Sequence, residues 1–258
     1  MNADNLLRAG DLDGARRALV EAVRRTPGDV PTRMFLFSLL AIAGEWDKAR
    51  IQLTTLAQLS PEAQMLSVAY GQAIDAERER AAVFAGEAAP TLHVASDWAL
   101  GLAEAVAHEA AGRADVADET RSTALDAAPD TPGDLDGEAF DWIADADRRF
   151  GPTFEAIVGG RYGWQPFDQI RSITSDGPRD LRDLVWYPVE IAFRDGRTTA
   201  ALLPARYPGI PADPAERLAR ATGWSDGPMG QVGSGQRLWS LSTGEDRGLL
   251  SVRSLVFH

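Results

Sequence analysis

Along the first half of the chain, apolar residues recur at helical spacing in separate stretches. They do so between Thr32 and Ala43, between Trp46 and Leu59, from Leu66 to Val83 and from Ser96 to Ala111. A recurrence at i, i+3, i+4 and i+7 predicts amphipathic helices. The pattern also repeats at longer range: "AGDLDGARRAL" at 9–19 returns as "AGEWDKARIQL" at 43–53. Gly10 to Gly44, Ala15 to Ala49 and Pro27 to Pro61 are each 34 residues apart. A third copy, "AGRADVADETRSTALDAAP", keeps the internal spacing through Gly112, Ala117 and Pro129.

A 34-residue period is that of the tetratricopeptide helix–turn–helix unit. The residue types suit it. Glycine admits the left-handed turn between two helices, the small alanine allows close approach, and proline stops the second helix. The slot near Arg78 lacks these signals, so the array is interrupted or atypical there. Trp46 reads as packing between repeats, and Asp13 and Asp47 as first-turn acids that favour the helix dipole.

After "DAAPDTPGDLDGEAF", a linker or domain edge at about 127–138, the period is lost. A helix is predicted from Glu138 to Val158, with an interruption at Gly151 and Pro152. Strand-like runs follow: "YGWQPF", "QIRSIT", "LVWYPVEIAF", "RTTAALLPARYP", "QRLWSLS" and "GLLSVRSLVF". "FRDGRT" and "STGED" predict hairpin turns. Five of the seven tryptophans fall in 142–239, suiting a small β-rich core that needs large anchors. The chain therefore reads as α+β: tetratricopeptide-like helical repeats over 1–130, then a C-terminal domain over 138–258 with a small, mostly antiparallel sheet or partly closed barrel and a flanking helix.

Composition narrows the function. The formal charge of −12 runs through both halves and repels phosphate backbones and anionic membranes, so neither nucleic acid nor a membrane is an expected partner. Without cysteine there is no disulfide, thiol nucleophile or thiolate metal site. The start lacks the basic and apolar regions of a signal peptide, and the longest apolar run, 34–44, is too short to span a bilayer, so a cytoplasmic location is expected.

Candidate chemistry is sparse. His93, His108 and His258 are too far apart for a zinc pattern. "DWIADADRR" would put Asp141 and Asp145 one helical turn apart, as an acid–base pair, a cation site or part of a solvated face with Arg148 and Arg149. "GDLDGEAF" resembles the opening of a calcium loop, but its glycine comes too early. The glycine-rich "GPMGQVGSGQR" lacks the Lys-Ser/Thr of a phosphate loop and reads as flexible; Ser234 within it lacks a full nucleophile elbow. No catalytic residue, cofactor or metal is expected.

Longer blocks carry a family resemblance. "RMFLFSLLAIAGEWDKARIQL" and "AERERAAVFAGEAAP", then "DWIADADRRFGPTFEAIVGGRYGWQPF", "DLRDLVWYPVEIAF", "LLPARYPG" and "GQRLWSLSTGED", resemble the blocks of the ImpE family, also called TagJ, in order and over nearly the entire chain. The resemblance implies a non-enzymatic accessory protein of bacterial type VI secretion. It implies binding to a helix of the small contractile-sheath subunit and a link to sheath disassembly by the ATPase ClpV. A helical-repeat groove can receive such a helix. In the usual repeat register, Met34, Ser38 and Ala41 would face it with Arg33 nearby, though core packing explains Met34 equally well. Arg161, Tyr162, Trp164, Arg206, Tyr207 and Arg237 sit in the family's blocks, as interface anchors or as stabilisers of the sheet. Two alternatives stay open: a generic helical-repeat scaffold, and a hydrolase or ligand-sensing domain using Asp141, Asp145 or Ser234.

Overall fold

The computed structural model describes residues 2–227 and 230–258. Seven helices come first: α1 (Ala3–Arg8), α2 (Leu12–Arg25), α3 (Val30–Ile42), α4 (Trp46–Leu59), α5 (Glu62–Phe84), α6 (Asp97–Ala110) and α7 (Ala114–Ala127). Gly10, Gly44 and Gly112 end α1, α3 and α6 in the left-handed region, with φ of +80°, +69° and +73°. At Gly44 the chain makes a Schellman stop: Gly44 N–H donates to the Ala41 carbonyl and Glu45 N–H to that of Leu40. Ala15, Ala49 and Ala117, five residues beyond each glycine, are all fully buried, as close helix pairing requires. The interruption near Arg78 also has a cause. Helix α5 is 23 residues long, runs through that slot and makes the same stop only at Gly86.

Then comes the sheet region: β1 (Gly133–Leu135), β2 (Glu138–Phe140), β3 (Ile143–Asp145), β4 (Thr153–Val158), β5 (Arg161–Pro166), β6 (Ile170–Thr174), β7 (Trp186–Phe193) and β8 (Thr198–Pro204). A short helix, α8 (Pro214–Arg217), precedes β9 (Thr222–Gly227), β10 (Gly230–Gly235), β11 (Leu238–Leu241), β12 (Asp246–Gly248) and β13 (Ser254–Phe257). Eight strands form one open antiparallel sheet in the order β2-β1-β13-β6-β7-β8-β4-β5, in place of a partly closed barrel. The turns at Asp195–Gly196 and Ser242–Glu245 join β7 to β8 and β11 to β12 as hairpins.

The helix expected over Glu138–Val158 is absent; β2, β3 and β4 occupy that segment. Nearly every residue of "TFEAIV" is buried, and a short continuous apolar run fits a buried strand as well as a helix. Just upstream, Asp136 (φ +52°) and Gly137 (φ +87°) make the tight turn of the β1–β2 hairpin, so "GDLDGEAF" is a hairpin. The flanking layer is supplied instead by α5 and by α3, which packs on the 3-10 turn Leu181–Leu184.

The glycine-rich stretch is also ordered where described. It supplies the last residue of β9 and all of β10, which pair antiparallel; Pro228 and Met229 lie outside the described residues. Glycine is needed at 233 because a Cβ there would lie 2.4 Å from the Tyr207 ring.

Two apolar cores result. One lies between the sheet and the strands of β3, β11 and β12, around Phe154, Phe167, Tyr187 and Trp239. The other begins among the helices and continues without a break into Trp164, Trp186, Tyr207 and Leu218.

Candidate functional site: a buried ion-pair network between helices and sheet

Helix α5 turns Tyr70, Ile74, Glu77, Arg80 and Val83 inward. Two charged residues therefore sit on an apolar face, and the sheet must answer them. Strand alternation provides the answer. Phe154 and Ala156 of β4 point into the sheet core, while Ile157 joins the helical core and the fully buried Glu155 carboxylate meets α5.

Glu155 accepts a two-pronged pair from Arg80, Nε at 2.8 Å and Nη2 at 2.7 Å, and a 2.5 Å hydrogen bond from the Tyr162 hydroxyl. The Trp164 indole donates to that hydroxyl at 2.9 Å. Arg237 joins Glu155 to Asp145 with its two terminal nitrogens and lies 4.3 Å above the Phe150 ring. Tyr207 donates to Asp145 at 3.1 Å. Arg80 also donates to the Arg206 carbonyl at 2.7 Å, and Trp186 donates to Glu77 at 3.1 Å. Arg206 itself donates to the Ile42 carbonyl at the end of α3 and to that of Arg217, at 2.9 and 2.8 Å.

The electrostatics follow from this wiring. Burial works against the charge on Arg80, but Glu155 and Glu77 overcome it and hold its pKa above the usual value. Burial alone would raise Glu155; Arg80 and Arg237 reverse that and lower it. For Asp145, burial wins over Arg237, Asp147 adds repulsion, and the pKa is pushed up to about 6. Burial draws Arg206 down to about 10, with Glu77 opposing.

A pH dependence is expected. Asp145 binds its proton more readily folded than unfolded, so its contribution to stability is complete below its ordinary 3.8 and lost as the pH rises through about 6. Glu155 behaves oppositely: its contribution is present above 4.5 and lost as the pH falls through its lowered value. Burial lowers the His93 pKa, which also favours higher pH. Relative to Asp145→Asn, which keeps the opposing His93 titration but lacks that of Asp145, the unaltered chain should therefore gain stability on going from about pH 7 to about pH 5. Urea unfolding of both proteins at the two pH values measures the difference, and parallel pH profiles would contradict it.

Most of the sequence-predicted residues are drawn into this network or its surroundings. Tyr162, Trp164, Arg206, Tyr207 and Arg237 are buried within it. Ser38 and Ala41 are buried too, and the Ser38 hydroxyl lies 3.3 Å from Asp180, so the C-terminal half already fills that side of α3. Met34 is half-buried against the helical core. Arg33 is half-exposed and donates to the Pro27 carbonyl and Gln52, both at 2.7 Å; Arg161 is exposed. Trp46 packs 5.8 Å from Trp186 of the sheet.

The alternative chemistry is not assembled. Asp145 is buried in β3, whereas Asp141 is exposed in the turn before it, so no helical face joins them. Ser234 donates to Glu216, while His93, His108 and His258 contact Ala156, Arg113 and Asp134. Among the described residues no group of three or more His, Asp or Glu could hold a metal ion.

Glu77, Arg80 and Glu155 escaped sequence reasoning. The signal was present for two of them: Glu77 and Arg80 interrupt the apolar face shared by Tyr70, Ile74 and Val83.

Comparison with known proteins places this arrangement. The family described as ImpE protein matches residues 137–256. The type VI secretion system accessory component TagJ of Pseudomonas aeruginosa (strain PAO1) is 43% identical over 261 residues, covering 100% of this chain and 92% of TagJ. The crystal structure of protein VPA1032 from Vibrio parahaemolyticus superimposes with a TM-score of 0.88, covering 99% of this chain and 97% of that one. At 22% identity the match to VPA1032 speaks for the fold alone, α+β with helices before an antiparallel sheet. The full-length identity to TagJ goes further: the chain belongs to the ImpE/TagJ family of type VI secretion accessory proteins.

Proposed function

We propose that the protein is a non-enzymatic, cytoplasmic adaptor of type VI secretion that binds a helix of the small sheath subunit and thereby influences ClpV-dependent sheath disassembly. The observation that carries this reading is the 43% identity to TagJ across the whole chain. Two features support it. No helix among the described residues is long and apolar enough to cross a membrane. The buried charges pair with one another, the pattern of a structural joint between two layers.

The reading includes two working parts, a helical-repeat domain over 1–130 and a C-terminal domain over 138–258. Of the residues put forward for partner contact, Arg33, Met34 and Arg161 are at least partly accessible. Ser38, Ala41, Tyr162, Trp164, Arg206, Tyr207 and Arg237 would act from below, by shaping the surface. Pull-down of the small sheath subunit, and of its isolated helix, by the full chain tests the proposal. Binding at about 10 μM or tighter is expected; none at several times that concentration would overturn it.

A further inference from the structure

Two cavities meet between α5 and the helix-side face of the sheet. One, of about 340 Å³, is lined by Ala69, Gln72, Ile157 and Leu202; the other, of about 550 Å³, by the loop 175–183 and Glu190. They share Tyr70, Pro188 and Val189, so they form one trough.

Strand register sets its floor. Ile157, Leu202 and Pro188 pair in a row across β4, β8 and β7 and make an apolar strip. The next row is Ala200, Glu190 and Thr174 across β8, β7 and β6, and all three are exposed. Four strands at about 4.8 Å spacing span roughly 14 Å, the length of about nine to ten helical residues.

The far end is acidic. Asp176, Asp180, Asp183 and Glu190 line it against Arg179 and Arg182. Both arginines are already engaged, Arg179 with Asp176 at 2.7 Å and Arg182 with Asp180 at 3.1 Å. Among the described residues Glu190 has no ion-pair partner. A ligand for this trough must be apolar at one end and cationic at the other.

We infer that this trough is the docking site for an amphipathic helical segment with an apolar stripe and a basic end. The stripe lies on the partly exposed Leu202 and Pro188 beside the buried Ile157, and the basic end lies beside the exposed Glu190; Asp183, buried, accepts from the Arg179 and Asp180 N–H groups. This rests on the proposed function, since it assigns a place to the sheath-subunit helix. It also moves that place away from α3, whose corresponding side the loop around Asp180 covers. Met65, one turn before Ala69 on α5 and 84% exposed, stands beside the apolar end as an adaptable contact.

The test uses the full chain and a fluorescent peptide of the small sheath subunit's helix, with anisotropy as the readout. Ala200→Arg and Glu190→Lys change exposed side chains, and each should weaken binding at least about tenfold. Ile51→Arg, on the outer face of α4, should leave it unchanged. Affinity of the unaltered chain should fall as salt rises from about 50 to about 300 mM. Circular dichroism confirms that each variant is folded. If the unaltered chain binds and both trough variants bind equally well, the trough is wrong and the partner stands. If the unaltered chain does not bind the peptide, both proposals fall.

Discussion

Glu155→Leu is expected to destabilise the protein by about 3–5 kcal/mol, the largest effect of any single substitution in the charged network. The size follows from what is left behind. Glu155 is fully buried and answers both Arg80 and Arg237. Removing it strands the Arg80 side chain, which is only 6% exposed, with one remaining carboxylate contact, to Glu77 at 3.5 Å. Arg237 keeps Asp145 and suffers less. The double variant Arg80→Met/Glu155→Leu should therefore recover at least half of the loss, because an apolar pair in a buried site is often no worse than an ion pair there. Guanidinium or urea unfolding of the three proteins measures this. A Glu155→Leu protein within about 1 kcal/mol of the unaltered chain would mean that the network holds nothing together.

How far the sequence discloses this structure depends on the range of the interaction. The repeats are legible because their signals are local. A glycine that stops α3 and an alanine that lets α4 approach act within a few residues of each other, and a 34-residue period exposes them. Hairpins at Asp195–Gly196 and Ser242–Glu245 are legible for the same reason. Asp136–Gly137 carries the identical turn chemistry, yet its acidic surroundings suggest an ion loop and hide it. The strand "TFEAIV" is illegible on periodicity, since both of its faces are buried.

The network is harder still. Its partners are far apart in sequence: Arg80 and Glu155 by 75 residues, Arg237 and Asp145 by 92. Nothing local to Glu155 indicates that a guanidinium waits on α5. Its discoverable half was α5, where Glu77 and Arg80 break an apolar face and demand a buried counterpart. Family blocks did mark Tyr162, Trp164, Arg206, Tyr207 and Arg237, but a block says only that residues matter together. The fold encloses these five side chains, whereas the register row Ala200–Glu190–Thr174 is exposed.

Trp186→Ala should cost about 3–5 kcal/mol, and its form is as informative as its size. Trp186 is fully buried at the start of β7. Its ring lies 6.5 Å from Phe37 of α3, 5.8 Å from Trp46 of α4 and 5.5 Å from Tyr70 of α5, and its indole N–H donates to Glu77. One sheet residue thus touches three successive helices. Truncation opens a cavity in the core that runs from helices to sheet and leaves Glu77 without that donor. Because both parts line this core, the loss should appear in far-UV circular dichroism of the helices and in tryptophan fluorescence, four of whose six remaining residues lie in 142–239, as one coincident transition shifted to lower denaturant. Two separated transitions in the variant, with the helical signal unmoved, would show that the repeats stand without the sheet. Coincidence would mean that helices and sheet unfold as one cooperative unit, held together through the core around Trp186.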